Sequence, residues 1–406
     1  MTVAKTKESF ARTYAGGACC TSTLSRMSIR ASVSVIMVMG AFVVQTRAAE
    51  PAPFYEGGDV SMLPEIERAG GVYRVDVRPA DAIAIMRERG CNLFRVRLFV
   101  NPDPDFKKTD GATQDLVYVR ALARRIKSAG AAFMLDLHYS DSWADPGHQV
   151  TPAAWKDLDF DALERKMHEY TASVLKEFDG DDLTPDMVQV GNEIASGMLW
   201  PQGRIVDRKT PEEDRVQWSR LARLINAGSR AVREASTPQG KIKVVVHIHG
   251  GGRAGLPQWF LGKLHQNPVD YDVLAVSFYP AWDDKLDALK QNMRDVIKTY
   301  DKPVIVAETS YPWKKMEGAK DRSLMTWPMT PAGQEQFLRD LTAAMKEMPD
   351  GKGLGFVWWY PEAIPVTGLR IWRGGAEGLF DEKGSPLPTW RAFSASQSAV
   401  SPGASR

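Results

Sequence analysis

Eight short apolar runs recur along this chain, each closing on polar residues and each separated from the next by a stretch of helical periodicity. They begin at Tyr55, Cys91, Ala132, Met187, Lys243, Tyr271, Pro303 and Leu354. Strands that alternate with helices pair in parallel, because the chain must cross over the sheet before it can run the same way again. Eight such units are the number at which a parallel sheet closes on itself. Helices are expected over Pro79–Gly90, Leu116–Ala129, Phe160–Phe178, Pro211–Ala235, Leu256–His265, Leu286–Tyr300 and Pro331–Met348, with a short eighth over Leu387–Phe393. A doubly wound open sheet shares this alternation but has no reason to place polar residues at nearly every strand end. No glycine-rich phosphate loop stands where that fold would need one. The expected architecture is therefore one (β/α)8 barrel of the α/β class, for which 406 residues are ample.

A barrel of this kind assembles its chemistry where the strands end. Met187-Val-Gln-Val-Gly-Asn-Glu-Ile194 delivers Asn192 and Glu193 from an apolar run, and Pro303-Val-Ile-Val-Ala-Glu-Thr-Ser310 delivers Glu308 in the same way. One such Glu is most often a solvated loop residue. Two of them suit the cleavage of an acetal, which needs a proton donor and an anion. In Cys91–Val100, Arg95 and Arg97 share one face, and Phe94, Val96 and Leu98 share the other. Two inward guanidinium groups require a carboxylate or a ligand, and a salt bridge to a catalytic carboxylate is the expected partner.

Asp136, His138, Asp141 and Trp143 close the third run. A lone His usually belongs to the core, but among Asp and Trp it becomes a candidate ligand contact. His247 and His249 have the i, i+2 spacing of metal ligands, yet no third ligand accompanies them; hydrogen bonding to a ligand or a buried carbonyl is the expectation, and no metal is assigned. Tyr279, Trp282, Trp313 and Trp359 lie at or after strand ends. Aromatic rings there can stack on the C–H faces of sugars, although a single Trp also serves as core or rim.

The net charge is +2, and no Lys/Arg run with interleaved aromatics is present, which argues against a nucleic-acid partner. Arg30 to Val44 combines a positive flank with an apolar stretch, and Thr46-Arg-Ala-Ala-Glu50 supplies a small-residue cleavage pattern. This is the arrangement of a secretory signal, too short to span a bilayer comfortably. The polar leader before it places the expected start at Met27 rather than Met1. Cys91 alone then remains in the mature chain, so no internal disulfide is expected and the fold rests on its core. The expected organisation is a leader over 1–49, one catalytic domain over 50–396 and a disordered tail over 397–406. The mature protein is expected to be a secreted or periplasmic monomer without a membrane anchor.

Taken together, these motifs resemble glycoside hydrolase family 53, the endo-β-1,4-galactanases, within the clan of retaining (β/α)8 glycosidases. The resemblance spans Tyr55 to Phe393 and rests on Gly58-Asp-Val-Ser-Met-Leu-Pro64, Phe94-Arg-Val-Arg-Leu-Phe-Val-Asn-Pro102, Leu135-Asp-Leu-His-Tyr-Ser-Asp-Ser-Trp-Ala-Asp-Pro146, Gln189-Val-Gly-Asn-Glu193, Val276-Ser-Phe-Tyr-Pro280 and Glu308-Thr-Ser-Tyr-Pro-Trp313. It implies Glu193 as acid/base, Glu308 as nucleophile and Asn192 as donor to the substrate 2-hydroxyl. It also implies that His138, His247 and Tyr279 line the site, with Tyr279 and Arg95 or Arg97 steadying the nucleophile. The implied substrate is the polysaccharide β-1,4-galactan, and no cofactor is implied.

Phe99 stands where the family often has Trp, Gly250 where a polar residue is common, and Tyr360 where Glu frequently follows Trp359. Some bacterial members bind calcium after the seventh strand; Lys314 to Trp327 is short and basic, so that site is not carried over. A retaining mechanism asks for carboxyls about 5–5.5 Å apart and for opposite pKa shifts, with Glu308 ionised and Glu193 protonated. The rival readings are a mannanase or xylanase of the same clan and a non-catalytic glycan-binding barrel.

Overall fold

The computed structural model describes residues 53–207, 210–237, 240–315 and 325–394. The expected leader over 1–49 and tail over 397–406 lie outside the described residues. Eight parallel strands close a barrel: β1 (Tyr55–Asp59), β2 (Leu93–Leu98), β3 (Ala132–Leu137), β4 (Met187–Val190), β5 (Lys243–Ile248), β6 (Val273–Ser277), β7 (Val304–Thr309) and β8 (Gly353–Trp359). Each pairs with its neighbours in sequence, and β8 returns to pair with β1. Around them run α1 (Ala82–Glu88), α2 (Leu116–Ser128), α3 (Phe160–Asp179), α4 (Pro211–Ala235), α5 (Leu256–Leu264), α6 (Leu286–Tyr300) and α7 (Pro331–Lys346).

Helix starts follow their capping residues. Asp115 and Asp159 accept from the amides of Tyr118 and Ala162, and Thr210 and Glu213 form a reciprocal capping box. The first helix begins at Ala82 rather than Pro79, because Asp81 caps it and Pro79 is taken up in a two-residue ribbon with Arg74. The first strand stops at Asp59, and a short loop leads into a helical segment, Leu63–Arg68. The eighth helix is a single 3-10 turn, Pro388–Ala392.

Period-two alternation sorts the strand residues into two layers. Phe94, Val96, Leu98, Val188, Val190, Val244 and Val246 face the helices. Leu93, Met134, Met187, Val245, Val273, Ile305 and Leu354 fill the lower barrel as an apolar plug. Burial of each such side chain is worth about 1.5–3 kcal/mol. Two residues further along their strands stand Arg95, Asp136, Gln189 and His247, all fully buried. The inward position of Arg95 and Arg97 is as their spacing implied.

Alternation breaks where it matters most. In β7, Val304 and Val306 face the helices while Ile305 and Ala307 face the plug, so strict alternation would turn Glu308 outward. The ladder to β6 instead slips by one residue, pairing Val276 with Val306 but Ser277 with Glu308. This bulge re-aims Glu308 into the barrel mouth, a use of bulges familiar beside active sites.

Barrel closure depends on Gly355, which pairs with Tyr55 at φ 125°. A Cβ there would lie 1.8 Å from the Tyr55 carbonyl oxygen. Gly355→Ala is expected to cost at least about 3 kcal/mol in urea denaturation, or to prevent soluble folding. A variant as stable as the wild type would show that this seam has slack.

Candidate active site

A cleft of about 760 Å³ opens at the C-terminal ends of the strands. Asn192, Glu193, Tyr279, Glu308, Trp143 and Trp359 all line it. Glu193 is carried in a left-handed backbone conformation (φ 51°, ψ 45°) two residues after Gly191 at φ 85°. For a non-glycine residue that conformation costs about 1–2 kcal/mol, which the surrounding packing must hold in place.

Beneath the cleft floor Arg95 binds the strand ends together. Its Nη1 lies 2.9 Å from Asp59 Oδ2 and 3.0 Å from Glu308 Oε1. Its Nη2 donates to Asp136 Oδ2 at 2.7 Å and to Asn192 Oδ1 at 2.8 Å, and its Nε donates to Gln189 Oε1 at 3.1 Å. The contact with Glu308 is an ion pair without an aligned hydrogen bond, so Oε1 keeps its lone pairs uncommitted. The other oxygen of Glu308 accepts from the Tyr279 hydroxyl at 3.1 Å.

Arg97 does not reach Glu308. It contacts Asp59 at 3.4 Å, donates to the Tyr360 hydroxyl at 2.9 Å, and lies 4.3 Å from the Trp143 ring centre and 5.4 Å from that of Trp359. Its work is to support the aromatic floor.

His138 and His247 sit behind the lining residues. The amide of Ala144 donates to Nδ1 of His138, so Nε2 carries the proton that bonds Asp136 at 2.9 Å. His247 bonds Asn192 Oδ1 through Nδ1 at 2.8 Å and Ser277 Oγ through Nε2 at 3.0 Å. Burial, with Arg95 next in effect, pushes the His247 imidazole well below its usual pKa, so it is neutral. Asn192 Oδ1 already accepts from Arg95 and Gln189, so it is the amide oxygen and Nδ1 of His247 must donate to it. Nε2 is then an acceptor. The single hydroxyl proton of Ser277 is left to choose between that nitrogen and Glu193 Oε1, 2.6 Å away. A protonated Glu193 donating to Ser277 satisfies every group in the chain.

Burial pushes the Glu193 carboxyl up to about 8, and the neighbouring Glu308 anion pushes the same way. Glu308 is itself pushed up to about 7 by burial, opposed by Arg95 and assisted by Asp59 and Asp136. The expected opposite shifts are therefore corrected: both carboxyls are raised. Burial is the larger cause, and the guanidinium of Arg95 offsets only part of it at Glu308 because Asp59 and Asp136 already engage it. Direct contact with Arg95 and Tyr279 still makes Glu308 the carboxyl that ionises first.

Two expected site residues lie elsewhere. Asp141 spends both oxygens on the backbone amides of Asn101 and Ala153, bracing a loop. Trp313 clasps the 375–376 turn by donating from Nε1 to the Gly375 carbonyl and from its backbone amide to that of Ala376. Conversely, Asp59, Asp136, Gln189 and Ser277 build the site without having been picked out for it. Asp59 closes β1 as Glu308 closes β7, and that parallel was the available signal. Trp372, held by a bond from Nε1 to Glu377 Oε2 at 2.9 Å, comes from a loop without strand periodicity and carried none. Of the positions departing from the family pattern, Gly250 and Tyr360 line the cleft. Phe99 is buried edge-on to His138 and Trp143.

A closed parallel barrel with a buried carboxyl at the end of β7 and a partly buried one after β4, walled by aromatic rings, defines a glycoside hydrolase of the (β/α)8 type. Residues 55–393 match Glycosyl hydrolase family 53, and the chain belongs to that family. A Niallia circulans protein described as the uncharacterized protein in the bgaB 5′ region is 35% identical over 357 residues, covering 84% of this chain and 94% of its own. The arabinogalactan endo-beta-1,4-galactanase of Cellvibrio japonicus is 32% identical over 390 residues, covering 92% of this chain and 98% of its own. The solved GH53 catalytic domain of Ignisphaera aggregans superimposes with a TM-score of 0.76 at 32% identity, over 85% of this chain and 97% of that one.

Folded Glu193 holds its proton to about 8, whereas an ordinary Glu loses it near 4.5. Between those values the folded state binds a proton that the unfolded chain has released, so this carboxyl lowers stability as pH rises through the window. Glu193→Gln is expected to match the wild type at pH 4.5 and to exceed it by roughly 4 kcal/mol at pH 8 in urea denaturation. A difference that does not grow with pH would contradict the burial account.

Proposed function

We propose that the protein is a secreted, monomeric, endo-acting retaining hydrolase of β-1,4-galactosidic bonds in galactan and type I arabinogalactan. The substrate assignment is supported by family membership and by the name of the Cellvibrio japonicus relative. The observation that carries the mechanism is the unequal setting of two cleft carboxyls, Glu308 against Arg95 and Tyr279, Glu193 against Ser277.

Glu308 attacks the anomeric carbon as an anion while Glu193 passes its proton to the departing glycosidic oxygen. The C–O bond breaks as the galactosyl–Glu308 ester forms. Glu193, now an anion, is stabilised by the Ser277 hydroxyl turning towards it; it then takes a proton from the water that hydrolyses the ester. Such a displacement needs the carboxyls about 5–5.5 Å apart. Asn192 spends one N–H of Nδ2 on the Ala144 carbonyl, which leaves the second for a substrate 2-hydroxyl. Export is assigned to the Arg30–Val44 segment; no helix among the described residues is long and apolar enough to cross a membrane.

Reducing-sugar release is expected from linear β-1,4-galactan and not from mannan or xylan, and a preference for either of the latter would remove the substrate assignment. Glu308→Ala should lower turnover at least about 10⁴-fold while galactan binding persists. Glu193→Ala should spare aryl galactosides with good leaving groups, and added azide should yield the β-galactosyl azide. Recovery of the α-azide would mean inversion and would sink the retaining assignment.

A further inference from the structure

His249 is the member of the His247/His249 pair that the catalytic hydrogen-bond chain leaves unused. Its Nδ1 is buried with no hydrogen-bond partner among the described residues, and burial together with Arg253 pushes its imidazole down to about 4. The residue lines the catalytic cleft and also a second cavity of about 870 Å³. Trp218 and Trp259 stand edge to face there with ring centres 5.3 Å apart. Trp218 is buried, whereas Trp259 is 44% exposed. Lys263 and Asp214 add a 2.6 Å ion pair to the wall.

These features describe a sugar-binding surface. An aromatic face left open to water is matched by the apolar C–H face of a pyranose, whose hydroxyl rim needs donors and acceptors beside it. The Lys263–Asp214 pair offers both and cancels its own charge, so it suits a neutral glycan rather than an acidic one. Ala195 and Ser196, two and three residues after Glu193, also line this cavity, so it lies on the side of the acid that protonates the leaving group.

We propose that this groove continues the catalytic cleft past His249 and holds the leaving-group portion of a β-galactan chain, with Trp259 as its stacking platform. The assignment rests on the substrate reading above.

The test is Trp259→Ala assayed on linear β-1,4-galactan and on an aryl β-galactobioside, whose leaving group is too short to enter the groove. On galactan kcat/KM is expected to fall about tenfold, with the aryl substrate unchanged within about twofold and most of the loss restored in Trp259→Phe. An equal fall on both substrates, or none on galactan, overturns the assignment alone, provided the wild type cuts galactan. A wild-type protein that leaves galactan intact overturns the substrate reading, and this assignment with it.

Discussion

One buried guanidinium organises the mouth of this barrel. Arg95 has no exposed surface and touches side chains delivered by β1, β3, β4 and β7. Taking that charge out of water is tolerable only because Asp59 and Asp136 accompany it, and removing one partner from such a cluster typically costs about 3–5 kcal/mol. The same cluster decides the chemistry. Its positive charge is met by two structural carboxylates, so Glu308 receives only a share, and Glu308 titrates higher than a carboxylate beside a free Arg would. Glu193 is desolvated, has an anion nearby and forms no ion pair among the described residues, so it stays protonated longer. The proton affinities of the two carboxyls are thus set apart by how a single cation is apportioned.

The two carboxyls reach the cleft through backbone irregularity rather than regular strand geometry. Glu308 is turned inward by the slipped ladder between β6 and β7, and Glu193 by two left-handed residues after β4, Gly191 and Glu193 itself. At Gly191 a Cβ would lie 2.7 Å from Ile194 Cγ2, at a φ that already favours glycine. The Glu193 turn holds strain that a purely regular strand end would not carry, and both carboxyls are held by the polar layer just below. The plug beneath that layer is apolar and supplies stability without specifying chemistry.

The walls of the cleft follow a similar division. Arg97 lies under Trp143 and Trp359, while Trp313 and Glu377 fix the loop that brings Trp372 into the opening. Residues expected to line the site, His138 and His247, instead hold the residues that do line the cleft, and Arg97, expected against a catalytic carboxylate, supports the aromatic floor. A sugar-binding surface of this kind is rigid because each aromatic ring is clamped from behind by a charge or a hydrogen bond.

Fold class, strand count, the inward face of β2 and the pairing of Glu193 with Glu308 were all legible in the sequence, because they follow from local periodicity and from polar residues that end apolar runs. The motifs also carried the family, since its Asp-Leu-His-Tyr-Ser-Asp run is specific. Which Arg meets the nucleophile was not legible: Arg95 and Arg97 share a face, and only the stagger of β1 and β3 around β2 places one against Glu308 and the other under Trp143. The roles of Ser277 and Asp59 were hidden for the same reason, as was the diversion of Asp141 and Trp313 to loop bracing. Periodicity along one strand says which way a side chain points, whereas its partners are set by the register between strands and by bulges that interrupt it, and these exist only once the barrel has closed.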